Sequence, residues 1–280
     1  MAGTVYLVAT PIGNLGDLTV RARDVLSSVS FVSCEDTRRS RVLLDHYGIH
    51  KEVVSLPAFA EGQRAGRILD RVGSGEDCAV VTDAGSPGVS DPGEKLVAEA
   101  IARGIRVVPV PGASAVVAAL SASGLPTGRF HFLGFLPRKG SDRRALLEEI
   151  ASLQATLVLY ESPRRLGETL AELAQVLGDR RACVARELTK VHEEFVRGTL
   201  SELARAYQGA EVLGEIVLVV EGRAGGQRWT EEEVRRALEE GLARGEKLKE
   251  LARETARRAG WSGQEVYRLG LTSLKKQTSR

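Results

Sequence analysis

This sequence predicts an α/β protein with two sheet-bearing units and a helical tail, on three observations. Short runs rich in Val, Ile and Leu alternate with helix-period segments over the first 120 residues, which is the pattern of a parallel sheet covered on both faces. Gly124-Leu125-Pro126-Thr127-Gly128 breaks that alternation, and a second α/β unit follows. After Glu221, Gly222-Arg223-Ala224-Gly225-Gly226-Gln227 reads as a linker into strongly helical, charge-rich sequence. The domain boundaries drawn from these breaks are 1–123, 124–223 and 224–280.

Taken in order, the first unit offers strands at Val5 to Ala9, Phe31 to Cys34, Val53 to Leu56, Cys78 to Thr82 and Val107 to Val110. Helices fit Thr19 to Ser27, Arg38 to Tyr47, Gln63 to Val72, Glu94 to Arg103 and Ala113 to Ser121. Asp91-Pro92-Gly93-Glu94 reads as a helix start whose acidic side chains meet the orphan N–H groups of the first turn. In the second unit, strands are expected at Phe130 to Leu133, Thr156 to Tyr160, Ala182 to Ala185 and Glu215 to Val220. Helices there fit Asp142 to Ser152, Arg164 to Leu177 and Leu200 to Ala206, the last opened by a capping box of Thr199 and Glu202. His192 to Gly198 is too mixed to assign beyond a short strand around Phe195 and Val196. The tail carries helices at Glu231 to Gly241, Glu246 to Arg258 and, after Gly260 and Ser262, Gly263 to Leu269. That order fits either a helix-turn-helix or a small packed helical cap.

Composition narrows the function classes. With 280 residues, 43% hydrophobic and 27% charged, 30 Gly and 9 Pro, the chain is neither disordered, collagen-like nor a coiled coil. No apolar run approaches the roughly 18 residues that cross a bilayer. The N-terminus lacks the basic-then-apolar pattern of a signal peptide, so a soluble cytoplasmic protein without membrane partners is expected. A formal charge of +2 neither demands nor excludes nucleic acid. Only eight of the 39 basic residues are lysine, and Arg suits bidentate contacts to phosphate. Cys34, Cys78 and Cys183 sit in apolar segments and form no CxxC pair, so they read as buried thiols; the four histidines lack metal-ligand spacing, and no metal is expected.

The motifs cluster at strand ends. Thr10-Pro11-Ile12-Gly13-Asn14-Leu15-Gly16 is GxxG rather than GxGxxG, so a Rossmann dinucleotide fingerprint is disfavoured, and no loop ends as a Walker A loop does. Thr82-Asp83-Ala84-Gly85-Ser86-Pro87-Gly88-Val89-Ser90-Asp91-Pro92-Gly93 follows a strand directly, where open α/β sheets bind ligands. Its small residues permit close backbone approach, and Asp83 can accept bonds from amino or hydroxyl groups. Pro111-Gly112-Ala113-Ser114-Ala115 repeats the arrangement after the next strand. Glu35-Asp36-Thr37-Arg38-Arg39, Tyr160-Glu161-Ser162-Pro163-Arg164-Arg165 and Arg186-Glu187-Leu188-Thr189-Lys190 end other strands and point to a shared cleft.

In these segments the chain resembles the bacterial ribosomal RNA small subunit methyltransferase I family of the tetrapyrrole methylase superfamily, over residues 4 to 222. The resemblance implies a two-domain tetrapyrrole methylase-like fold: a mostly parallel N-terminal sheet, a mixed second sheet and a small C-terminal helical domain. It implies S-adenosylmethionine in the cleft, a homodimer, and 2′-O-methylation of a cytidine ribose in the decoding region of 16S ribosomal RNA, free or in the small subunit. It carries cofactor-binding roles onto Pro11, Asp83, Ser86, Ser114, Ala115, Tyr160, Leu188, Gly214 and Glu215.

The proton leaving the ribose hydroxyl calls for a general base. Asp36, Asp83, Glu187, Lys190 and His192 are candidates, with Lys190 and Glu187 expected nearest the ribose. A charged Lys190 would instead stabilise negative charge on the oxygen. Arg38, Arg39, Arg164 and Arg165 are expected to hold phosphates, and Arg268, Lys275 and Lys276 to extend the RNA footprint. With five Tyr, six Phe and two Trp, stacking platforms are few, so a flipped base is expected to be held by polar contacts. Two other readings stay open: a small-molecule methylase, which requires a deep apolar cavity, and a non-enzymatic RNA-binding module.

Overall fold

The computed structural model describes residues 2–57, 61–224, 229–259 and 261–277. Residues 225–227 of the expected linker, Gly260 of the expected turn, Arg280 and the side chains of Lys275 and Lys276 lie outside this description. The chain divides into two compact units, Met1–Glu221 and Gly222–Arg280.

The first sheet has five strands: β1 (Thr4–Val8), β2 (Phe31–Cys34), β3 (Glu52–Ser55), β4 (Cys78–Val81) and β5 (Arg106–Val110). They lie in the order β3-β2-β4-β1-β5 and every pair is parallel. Alternation along the strands feeds two cores. Val5, Phe31, Cys78 and Val80 face Ile68, Leu69, Leu96 and Ala100, from α3 (Glu61–Gly73) and α4 (Glu94–Ala102). Val8, Val32, Ala79 and Val81 face Ala22, Leu26 and Leu44, from α1 (Val20–Ser28) and α2 (Thr37–His46). Burial on both sides is why these strands read as continuous apolar runs.

Helix α5 (Ala115–Ala122) follows β5 but packs elsewhere. Its Val116, Ala119 and Leu120 join Val158, Cys183, Ala185, Val217 and Val219 in a core on one face of the second sheet. That sheet comprises β6 (Phe130–Phe135), β7 (Thr156–Glu161), β8 (Arg181–Arg186), β9 (Glu194–Thr199) and β10 (Ile216–Val220). Its order is β6-β7-β10-β8-β9, with β6 parallel to β7 and the other pairs antiparallel. Helices α6 (Ser141–Ala151), α7 (Leu166–Leu177) and α8 (Leu200–Tyr207) cover the opposite face through Leu147, Ile150, Leu170 and Leu203. The capping box of Thr199 and Glu202 opens α8. Strand β9 runs six residues where the sequence supported only a short piece; it lies at the sheet edge, and its exposed Glu194 and Arg197 break the alternation that would mark it.

In the second unit, α9 (Glu231–Ala243), α10 (Leu248–Ala259) and α11 (Gly263–Gln277) enclose Val234, Leu238, Leu251, Ala256 and Val266. The third helix is twice the expected length. Among the described residues no helix is long and apolar enough to cross a membrane.

One expectation is overturned at α4. Asp91 does not cap this helix: its N-cap is Gly93, which makes no side-chain cap bond. The orphan N–H groups are met from another element, because Oε1 of buried Glu61 accepts from Gly93 (2.9 Å), Lys95 (2.9 Å) and Leu96 (3.1 Å). A carboxylate at a helix N-terminus gains from both the hydrogen bonds and the helix dipole. Replacing Glu61 with Ala strands these donors and is expected to cost about 1–3 kcal/mol, read as a lower urea midpoint at unchanged slope; an unchanged midpoint removes the clamp from the account.

Candidate functional site

Strand β1 lies between β4 and β5, so the loops leaving the carboxyl ends of these three strands emerge side by side. Backbone bonds stitch them together. Ala9 N–H donates to the Val110 carbonyl (3.1 Å), Thr10 N–H to the Gly85 carbonyl (2.8 Å), and Gly85 N–H back to Thr10 (3.1 Å). The Thr10 hydroxyl donates to the Thr82 carbonyl (3.1 Å). At Gly112 a Cβ would stand 3.0 Å from that of Ala9, which is why the third loop has glycine there.

The same loops abut the second sheet. A Cβ on Gly13 would lie 2.6 Å from Lys190 Cγ and 2.8 Å from the Leu188 carbonyl. Between them is a cavity of about 630 Å³. Asp83, Ser86, Ser114, Ala115, Tyr160, Leu188, Gly214 and Glu215 all line it; Pro11 does not, although its neighbour Ile12 does.

The strand-end segment at Glu187 is held in an unusual conformation. Glu187 (φ +52°) and Thr189 (φ +65°) flank Leu188 in the left-handed region, at a cost that surrounding contacts must outweigh. Lys190 Nζ donates to Glu187 Oε1 (2.7 Å) and Glu215 Oε2 (3.1 Å), and Glu215 N–H donates to Glu187 Oε1 (3.0 Å). Partial burial pulls the Lys190 ammonium down, but its bonds to Glu187 and Glu215 outweigh this and raise it above its ordinary value. The Lys190 bond holds Glu187 below the usual carboxylate range. Lys190 is therefore a charged group beside the cavity, joined to its wall through Glu215.

The other sequence-derived candidates scatter. Asp36 caps α2 by accepting from Arg38 N–H (2.9 Å) and pairs with the Arg38 guanidinium (3.1 Å), whose hydrogen bonds hold its carboxyl low. Neither residue lines the cavity. Arg39 does, and pairs with Asp83 (3.3 Å). Arg164 is exposed and His192 is exposed, and both are off the lining. Arg165 binds buried Glu161 at 2.6 Å and faces a separate groove between α6 and α7. The cavity rim thus carries one of the four expected arginines.

The sequence reading gave three groups no role of their own here, although Asp91 and Glu35 lie in strand-end segments it singled out. Phe130, Phe132 and Phe135 of β6 stand at the cavity with Tyr160, whose ring centroid is 5.0 Å from Phe132 and 5.4 Å from Phe135. Half of the six phenylalanines gather in one wall, so the expectation of chiefly polar contacts to a base does not describe this surface. They looked like ordinary strand residues because edge position is not written locally. Asp91, assigned to a helix cap, instead lines the cavity, where burial, opposed by the Thr82 hydroxyl and aided by Glu35 and Asp83, raises it to about 6. Glu35 is raised too, by burial and then by Asp83.

Comparison with known proteins places these features in context. Residues 4–204 match the family model of tetrapyrrole (corrin/porphyrin) methylases. The ribosomal RNA small subunit methyltransferase I of Halalkalibacterium halodurans is 43% identical over 274 residues, covering 95% of this chain and 94% of the relative. That of Xylella fastidiosa (strain Temecula1) is 50% identical, over 79% of this chain and 82% of the relative. Among solved structures, uroporphyrin-III C-methyl transferase from Thermus thermophilus, complexed with S-adenyl homocysteine, shares the fold at a TM-score of 0.58 and 22% identity, covering 78% of this chain and 97% of the other.

Proposed function

The chain belongs to the tetrapyrrole (corrin/porphyrin) methylase family and, within it, to the ribosomal RNA small subunit methyltransferase I group, and we propose that it transfers a methyl group from S-adenosylmethionine to the 2′-oxygen of a cytidine ribose in the decoding region of 16S ribosomal RNA. The working form is a cytoplasmic homodimer acting on the RNA or the small subunit, and the two sheets form separate domains with the helical unit as a third. Its identity to the ribosomal RNA methyltransferases supports RNA over a tetrapyrrole as the substrate.

One observation carries the cofactor assignment. Asp83 Oδ1 is buried at the cavity with no hydrogen-bond partner, and a buried carboxylate oxygen left unpaired is costly. Its other oxygen is engaged by Arg39. The amino and hydroxyl groups of S-adenosylmethionine are donors of the kind this oxygen lacks, and the bound molecule supplies a methyl group already activated on a sulfonium. Ser86, Ser114 and Ala115 allow its close approach, while Tyr160, Leu188, Gly214 and Glu215 border its other end; Pro11 contributes through backbone adjacent to Ile12.

The protein's remaining task is alignment. Lys190, held charged by Glu187 and Glu215, stabilises negative charge developing on the ribose oxygen rather than taking its proton. Arg39 meets phosphate at the rim, Arg38 and Arg164 meet it further out, and the Phe130 and Phe135 rings offer faces on which a base stacks. Arg165, committed to Glu161, contributes by orienting that wall.

Calorimetric titration of the purified protein with S-adenosylmethionine is expected to show one site per chain, weakened roughly 10- to 100-fold by Asp83→Asn; absence of binding sinks the cofactor assignment. Labelled cofactor incubated with small subunits lacking the modification is expected to yield an alkali-resistant linkage after one cytidine; label on a base would reject 2′-O transfer. Replacing Lys190 with Ala is expected to slow single-turnover methylation by about 10²-fold or more with cofactor affinity nearly intact, and Lys190→Arg to recover part of the rate. An undiminished Lys190→Ala rate removes this residue from the mechanism.

A further inference from the structure

We propose that Asp91 is the general base that takes the proton from the attacking ribose hydroxyl. The inference rests on the 2′-O-methylation reading above and assigns the proton acceptor which that reading leaves open.

The geometry isolates this carboxylate. Among the candidates named from sequence, Asp36 lies off the cavity and is bound by Arg38. Glu187 and Lys190 hold one another, and Asp83 is engaged by Arg39 on one side. Asp91 lines the cavity and, among the described residues, pairs with no Lys or Arg. Its usual use as a helix cap is pre-empted, because Glu61 already meets the N-terminus of α4.

The loop carrying it is fixed at both ends. Thr10 pairs with Gly85 at one end, and Glu61 fastens Gly93 at the other. Between them Ser90 adopts φ +61°, with its hydroxyl 3.0 Å from where a Cβ of Gly134 would stand. A non-glycine residue in the left-handed region is strain maintained at a site. It sets Asp91 on the lining that also holds Tyr160, Phe132 and Phe135.

The charges around Asp91 favour a proton-accepting role. Glu35 beyond β2 and Asp83 beyond β4 face it as anions, Arg39 of α2 is held by Asp83, and Glu61 of α3 is spent on backbone donors. Tyr160 of β7 is itself raised by burial and then by Asp91, and Glu215 across the cavity is held by Lys190. Burial and the two anions bring Asp91 to about 6, so it is ionised at neutral pH yet more basic than an ordinary carboxylate, as a general base requires.

In the step, the 2′-hydroxyl O–H bond breaks and its proton passes to an Asp91 oxygen. The freed electron pair forms the O–C bond to the methyl, and the S–C pair returns to sulfur as the neutral thioether leaves. Protonated Asp91 then loses its proton to water.

Single-turnover methylation of unmodified small subunits, measured from pH 5 to 8, tests the assignment. The wild-type rate is expected to climb about tenfold per pH unit below about 6 and to level off above it. Asp91→Asn is expected to lower the plateau by roughly 10²-fold or more while its affinity for S-adenosylmethionine stays within about threefold. Asp91→Glu is expected to keep part of the rate with a displaced pH limb. Glu35→Gln, by removing a neighbouring negative charge, is expected to move the limb to lower pH, an effect that a merely structural Asp91 would not produce. Should Asp91→Asn melt early, the limbs of Asp91→Glu and Glu35→Gln carry the decision. A wild-type limb retained in Asp91→Asn or Asp91→Glu, or a plateau within fivefold of wild type, overturns the base alone. Wild-type protein that binds the cofactor but methylates no ribose at any pH overturns the function and the base together.

Discussion

Two reciprocal backbone hydrogen bonds between Thr10 and Gly85 tie the loop after β1 to the loop after β4, and the first-sheet side of the cavity is built on that constraint. Loops carry polar backbone that must be satisfied, and here the pairing satisfies it while leaving side chains free to face inward. The third loop is admitted only because Gly112 brings no Cβ against Ala9. Gly13 likewise lets the first loop close against Leu188 and Lys190. A sheet that ends in three stitched loops presents a rigid floor, and the second sheet can then be closed over it at a defined distance.

Electrostatics divides the carboxylates of this site by the partners their backbone positions allow. Glu187 and Glu215 share Lys190, Asp83 has Arg39, and Glu161 has Arg165. At Glu187 the Lys190 bond holds the carboxyl below the usual carboxylate range. Asp91 forms no ion pair among the described residues, Arg39 offsets only part of the rise at Glu35, and burial raises both. Two carboxylates at this site, Glu187 and Asp91, are therefore shifted in opposite directions. Groups pushed apart in this way are the usual basis for separate binding and proton-transfer roles. The distinction is geometric: Glu61 caps α4, which leaves Asp91 available.

Much of this site was legible in the sequence because loops at strand ends are written locally. The run from Thr82 to Gly93 declares itself by glycines and prolines after a buried strand, and the residues that the family resemblance assigned in it and in its sister loop, Asp83, Ser86, Ser114 and Ala115, meet at the cavity. The arginines were not legible in the same way. Arg38, Arg39 and Arg165 look alike on paper, yet one pairs with its own helix cap, one with Asp83 and one with a buried glutamate. The aromatic wall on β6 stayed hidden because its residues become a surface only when β6 takes the edge of the second sheet.

What the sequence by itself determined is the set of local elements: apolar runs buried on both faces, amphipathic helices, the Thr199–Glu202 capping box, and the turns imposed by glycine and proline. These depend on neighbours a few residues away. Only the tertiary structure decided that α5 would pack on the second sheet, that Glu61 would cap a helix starting 33 residues later, and that Asp91 would line the cavity. Each of those outcomes turns on which distant group reaches a backbone donor or an apolar face first, and that competition is settled by three-dimensional packing rather than by spacing along the chain.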